Sequence, residues 1–132
     1  MKVKVLGTEY EILTRTAEDD AILDTRDGYC DTSVKKIIIS NLRPQSDSKL
    51  DLRVVRNNII RHEIIHAFLY ESGLDVNSEW GSDETLVDWI ALQFPKMAEA
   101  FEAAGCSGGT NDEEKGDKIQ ATQDCENHGW RL

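Results

Sequence analysis

The chain has 132 residues, 39% of them hydrophobic and 30% charged, which is composition for one folded domain and not for wholesale disorder. Fifteen Lys and Arg stand against 25 Asp and Glu, and a net charge of −10 argues against a partner with a phosphate backbone or an anionic membrane surface. No apolar run approaches the roughly 18 residues of a membrane span.

From the N-terminus, KVKVL at 2–6 and TEYEIL at 8–13 alternate in the manner of strands about Gly7, which predicts a hairpin or meander. This start lacks the apolar core and small-residue cleavage site of a signal peptide. Residues 14–33 are polar and turn-rich, with Asp27-Gly28 the sharpest turn signal. VKKIII at 34–39 reads as a third strand, paired antiparallel with residues near Tyr29 and Cys30. After the loop at 41–48, Asp47 or Ser48 is expected to cap a long helix from about Lys49 to Ser72, with Gly73 as its stop. A second helix is predicted from Ser82 or Asp83, with Pro95 kinking or restarting it and Gly105 ending it. The expected fold class is α+β: an antiparallel sheet of about three strands followed by two ligand-bearing helices, over residues 1–104. Residues 105–132 are Gly-rich and polar without an apolar period, and are expected to form a tail.

The chemistry lies in HEIIH at 62–66, in the middle of the long helix. Positions i and i+4 share a helix face, so His62 and His66 can offer imidazole nitrogens to one metal ion. Glu63 is rotated about 100° from His62, where it can reach a water on the metal without ligating the metal itself. Two His holding zinc with Glu as general base is the arrangement of a metalloprotease. The surrounding residues (Ile59, Ile60, Ile64, Ile65, Ala67, Phe68, Leu69) predict a helix buried almost all round. A metal satisfies two buried His directly, whereas the competing reading, a structural hydrogen-bond network, needs several matched partners.

A catalytic zinc takes a third protein ligand and leaves one position open. Glu84 is the leading candidate, since the 17 residues after His66 suffice to end one helix and return on another. Asp75, Glu79 and Asp83 are weaker alternatives. Asp88, one turn beyond Glu84, is expected to accept the second ring N–H of a ligand His and fix its tautomer. Tyr70 continues the His62–His66 face and could steady an oxyanion. Trp80, Trp89 and Trp130 read as packing residues, and Lys49, Arg53, Arg56 and Arg61 as the solvated edge of the long helix. Cys106, Cys125 and His128 have some flavour of a metal site, but three widely spaced cysteines, including Cys30, fit free thiols in a reducing compartment better. A cytoplasmic location is therefore expected.

RHEIIHAFLYESGL and DETLVDWIALQFP, within Arg61 to Pro95, resemble small gluzincin-type metallopeptidases, in which HExxH is followed on a later helix by ExxxD. The chain is similar to zincin-like proteins of phage and prophage and, more distantly, to the ImmA/IrrE metallopeptidase group. In that group's pattern the later helix carries a Glu, a polar residue, an Ala and a Pro, matched here by Glu84, Asp88, Ala91 and Pro95 with the Pro about two residues early. The resemblance implies a minimal zincin-like domain with one Zn(II), acting on a peptide or protein that could be a repressor or other regulatory protein. An extended substrate is expected to add as a strand along the edge near residues 34–40. The alternative is a catalytically silent, zinc-stabilised binding or adaptor module of phage or prophage origin.

Overall fold

A computed structural model describes residues 1–45 and 51–108. Four strands form one mixed sheet: β1 (Lys2–Val5), β2 (Thr8–Arg15), β3 (Gly28–Asp31) and β4 (Lys36–Ser40), in the order β1-β2-β4-β3. Three helices follow, α1 (Leu52–Glu71), α2 (Leu74–Asn77) and α3 (Glu84–Ala103). The α+β class is as expected, but the sheet differs from an antiparallel one of three strands. β1 and β2 form the predicted hairpin, turned by Leu6 and Gly7 with φ of 48° and 85°. β2 then pairs in parallel with β4, and β3 pairs antiparallel with β4 from its other side, Tyr29 opposite Ile38 and Cys30 opposite Ile37. The chain passes over a 3₁₀ turn at Ala21–Asp24, lays down β3 at the sheet edge, and comes back as an interior strand. β4 therefore has no free edge, and the expected docking edge at 34–40 moves to β3.

Gly28 is not at the turn. A Cβ there would come within 2.8 Å of Ile59 Cγ2 and 3.0 Å of the Ile38 carbonyl, so its bareness lets α1 approach β3 closely. The bend into β4 lies later, where Lys35 adopts a φ of 56°.

α1 crosses one face of the sheet. Val5, Tyr10, Ile12, Ile37 and Ile39 form the core with Ala67, and Ile59, Ile60 and Ile64 pack on it. The helix is not buried all round, as its apolar sequence suggested: only Glu63, Ala67 and Leu69 are buried, and Phe68 and Tyr70 are exposed. It starts at Leu52, with Asp51 accepting from the Arg53 N–H at 3.0 Å; Asp47 and Ser48 lie outside the described residues. Gly73, with φ of 77°, ends it as expected. Glu71 fastens its last turn to the sheet, accepting from Tyr10 Oη (2.7 Å), Lys35 Nζ (2.6 Å) and Thr8 Oγ1 (3.3 Å).

Asp83 caps α3, its Oδ1 accepting from the Thr85 N–H at 2.9 Å. The helix runs through Pro95 to Ala103 instead of restarting there. By packing the described residues divide into two units, with the boundary after Phe94, inside α3. The second unit continues the helix to a glycine stop, the Cys106 N–H reaching back to the Phe101 carbonyl at 2.9 Å and the Gly105 N–H to Glu102 at 3.0 Å. Among the described residues no helix is long and apolar enough to cross a membrane.

Candidate metal centre

α1 presents His62 and His66 one turn apart, and α3 presents Glu84 and Asp88 one turn apart, so four polar side chains meet where the two helices face each other. His62 Nε2 and His66 Nε2 are 3.0 Å apart. Each faces the Glu84 carboxylate, His62 at 3.0 Å from Oε2 and His66 at 3.1 Å from Oε1. Asp88 Oδ1 lies 2.7 Å from the other nitrogen of His62, Nδ1. Among the described residues this His62–His66–Glu84 group is the one set of His, Cys, Asp and Glu with converging ligand atoms.

With Nδ1–H donated to Asp88, Nε2 of His62 presents a lone pair to a carboxylate oxygen at 3.0 Å. Only a cation between them, a proton or a metal, relieves that opposition. Tetrahedral zinc with N and O ligands at about 2.0–2.1 Å requires ligand atoms roughly 3.3 Å apart, close to the separations present. Two imidazoles and a carboxylate are also the donor types zinc prefers. The residues fit a zinc ion.

Glu63, the general base of the sequence reading, is only 7% exposed. Burial pushes its carboxyl up to about 7; His62 and Arg26 oppose the rise, and the nearby carboxylates Glu84 and Asp88 reinforce it. It lines the same cavity as His62, His66 and Glu84, whose other walls include β3 (Gly28, Tyr29, Cys30), Tyr70 and Asp75. The Cys30 thiol, also pushed up to about 12 by burial and by Glu63, is held as a neutral group in that wall. Gly81 stands just before the α3 cap, where a Cβ would collide with the Leu74 carbonyl, so bare backbone is needed to bring α3 round to α1.

The sequence-predicted residues are thus brought together: His62, His66 and Glu84 converge, Asp88 touches His62, and Glu63 and Tyr70 border the cavity. Tyr70 has Lys35 Nζ 4.7 Å from its ring centre, and its hydroxyl has no hydrogen-bond partner among the described residues. Of the alternative ligands, Asp83 is occupied as a cap, and neither Asp75 nor Glu79 joins the group. Cys106 is exposed at the end of α3, while Cys125, His128 and Trp130 lie outside the described residues. Trp80 and Trp89, read as packing residues, are 46% and 54% exposed.

Two arginines escaped the sequence reading. Arg26 lines the cavity from the segment leading into β3, with no hydrogen bond or ion pair among the described residues. No local pattern marks it, because its place depends on the chain crossing to the sheet edge. Arg61, assigned to a solvated edge, instead donates from Nε to the Ala91 carbonyl of α3 at 2.7 Å. Pro95 was the available signal, since it leaves the carbonyl four residues earlier without a helical donor.

No protein-family model matches the chain, and neither a curated protein nor a solved structure matches it.

Proposed function

We propose that this chain is a zinc-dependent metallopeptidase on a minimal zincin-like fold, of phage or prophage type. The observation that carries the reading is the convergence of His62 Nε2, His66 Nε2 and the Glu84 carboxylate at 3.0–3.1 Å beside buried Glu63. His62, His66 and Glu84 would hold one Zn(II). When bound, zinc supplies Lewis acidity, polarising a scissile carbonyl and acidifying water. Glu63, buried beside the ligand group, takes the proton of the attacking water and passes it to the leaving amine. Asp88 keeps His62 in the tautomer that leaves Nε2 free as a ligand. β3, at the sheet edge and in the cavity wall, supplies main-chain groups to an extended peptide. Tyr70, on the cavity rim, steadies the developing oxyanion. The substrate class is a peptide or protein, with a cytoplasmic regulatory protein the favoured kind.

The test is cleavage of a peptide library by zinc-loaded protein beside Glu63→Gln. Cleavage in the parent and its loss in the variant, at equal zinc content, is expected. Cleavage that survives Glu63→Gln overturns the mechanism. A zinc-loaded parent that cleaves nothing and melts on chelation is instead the silent binding module.

A further inference from the structure

The metal-centre residues sit on two helices, and the centre is only as well defined as the position of α3 against α1. Four polar contacts link these helices among the described residues. Three involve the centre itself: His62 to Glu84, His62 to Asp88 and His66 to Glu84. The fourth is Arg61 Nε to the Ala91 carbonyl, at 2.7 Å. It alone is independent of the centre's side chains.

An interior helix carbonyl normally accepts the N–H four residues later and has little need of another donor. For Ala91 that residue is Pro95, which has no N–H, and the helix continues through it. The carbonyl is thus an unfilled acceptor at a residue with no exposed surface. Arg61 precedes His62 directly on α1. Ala91 lies three residues beyond Asp88 and seven beyond Glu84, on the same side of α3 and about 10 Å along its axis.

We propose that Arg61 is a positioning residue for the metal centre: its guanidinium fills the carbonyl that Pro95 leaves open and thereby sets where α3 presents Glu84 to His62 and His66. The role rests on the zinc reading above. Pro95 creates a docking point that no other interior carbonyl of the helix has, and Arg61 is tied to the first ligand by the backbone itself. The rigid turns from Ala91 back to Glu84 transmit the constraint.

Arg61→Ala, Arg61→Lys, Pro95→Ala and the Arg61→Ala/Pro95→Ala double variant would be compared by zinc dissociation constant, using a chromogenic chelator as competitor, and by the visible absorption of the Co(II)-substituted protein. Arg61→Ala should weaken zinc about tenfold, as loss of an outer support of a ligand does, and should alter the cobalt bands as Glu84 moves. Arg61→Lys, which keeps a cationic donor, should recover most of both. In the Pro95→Ala background the carbonyl has its own helical donor, so removing Arg61 should weaken zinc by several-fold less. A merely stabilising residue would lower the melting temperature and leave the cobalt spectrum alone. Parental affinity and spectrum in Arg61→Ala, or equal losses with and without Pro95, overturns the positioning role. A parent that takes up neither metal overturns the zinc reading first and the positioning role with it.

Discussion

Replacing Asp88 by alanine removes the acceptor 2.7 Å from His62 Nδ1 and leaves the three candidate ligands in place. That separation belongs to the short, charge-assisted class of hydrogen bond, worth about 1.5–3 kcal/mol when fully desolvated. The Asp88 side chain is 61% exposed, so water competes for it, and a net value of roughly 1–1.5 kcal/mol is appropriate. At about 1.4 kcal/mol per factor of ten, zinc affinity should fall by about five- to twelvefold. Asp88→Asn keeps a neutral acceptor and should lose less. Glu84→Ala deletes a ligand and should exceed the roughly 100-fold that bounds the effect of outer supports. The assay is competition for zinc against a chromogenic chelator near pH 7.5, with stoichiometry from elemental mass spectrometry. Parental affinity at full occupancy in Asp88→Ala would refute the assigned hydrogen bond. Parental affinity in Glu84→Ala would refute the ligand set.

Lys35 first, and then the Tyr10 hydroxyl, hold the Glu71 carboxyl below its ordinary value of 4.5. Its stabilising contribution is therefore present above that value and lost as pH falls through the depressed one. Urea unfolding should show Glu71→Gln less stable than the parent at pH 7, with the gap closing in acid; a constant gap would exclude the linkage. Lys35, raised above 10.5 by the same contact, adds the converse loss at alkaline pH. With Cys125→Ser as background, a disulfide reagent should modify exposed Cys106 quickly and Cys30 slowly. A rise from 9.0 to about 12 lowers the Cys30 thiolate fraction about 1,000-fold, only partly offset by greater nucleophilicity, so a rate at least about 30-fold slower is expected; equal rates would contradict its burial. Removing zinc with a chelator should raise amide exchange in residues 84–91 and leave the sheet protected, because the core joins only the sheet and α1. Uniform loss of protection would make the metal a staple of the whole domain.

The candidate site was legible because its signals are local. HEIIH places two imidazoles on one face at any point of any helix, and Glu84 and Asp88 needed only a return helix after a connection of the length that Gly73 and Asp83 delimit. What escaped depends on which strands become neighbours. The antiparallel pairing of residues near Tyr29 and Cys30 with the 34–39 strand was expected and is present, but the place of this short β3 segment at the sheet edge was not. The parallel pairing of β2 with β4 follows from β3 taking the outer place, a choice that hairpin signals do not encode. Gly28 was read as a turn because close approach to Ile59 is invisible until α1 is laid on the sheet. The apolar sequence of α1 overstated its burial for a related reason: the sheet covers one side of it and α3 meets it along polar residues.

That polar meeting explains how one small chain can hold both a stable body and the candidate metal centre. Val5, Tyr10, Ile12, Ile37, Ile39 and Ala67 bury one another without help from α3. Glu71 ties the end of α1 to Thr8, Tyr10 and Lys35, away from the metal-centre side chains. His62 and His66 are therefore carried on an element whose position is already settled, and α3 brings Glu84 and Asp88 to them. A purely apolar seam would leave no place for these four side chains, and a purely polar one would rely on them to hold the helices together. Val87 and Ala91 of α3 are fully buried, and the Ala91 carbonyl accepts from Arg61, contacts that do not use the Glu84 carboxylate and leave it facing His62 and His66.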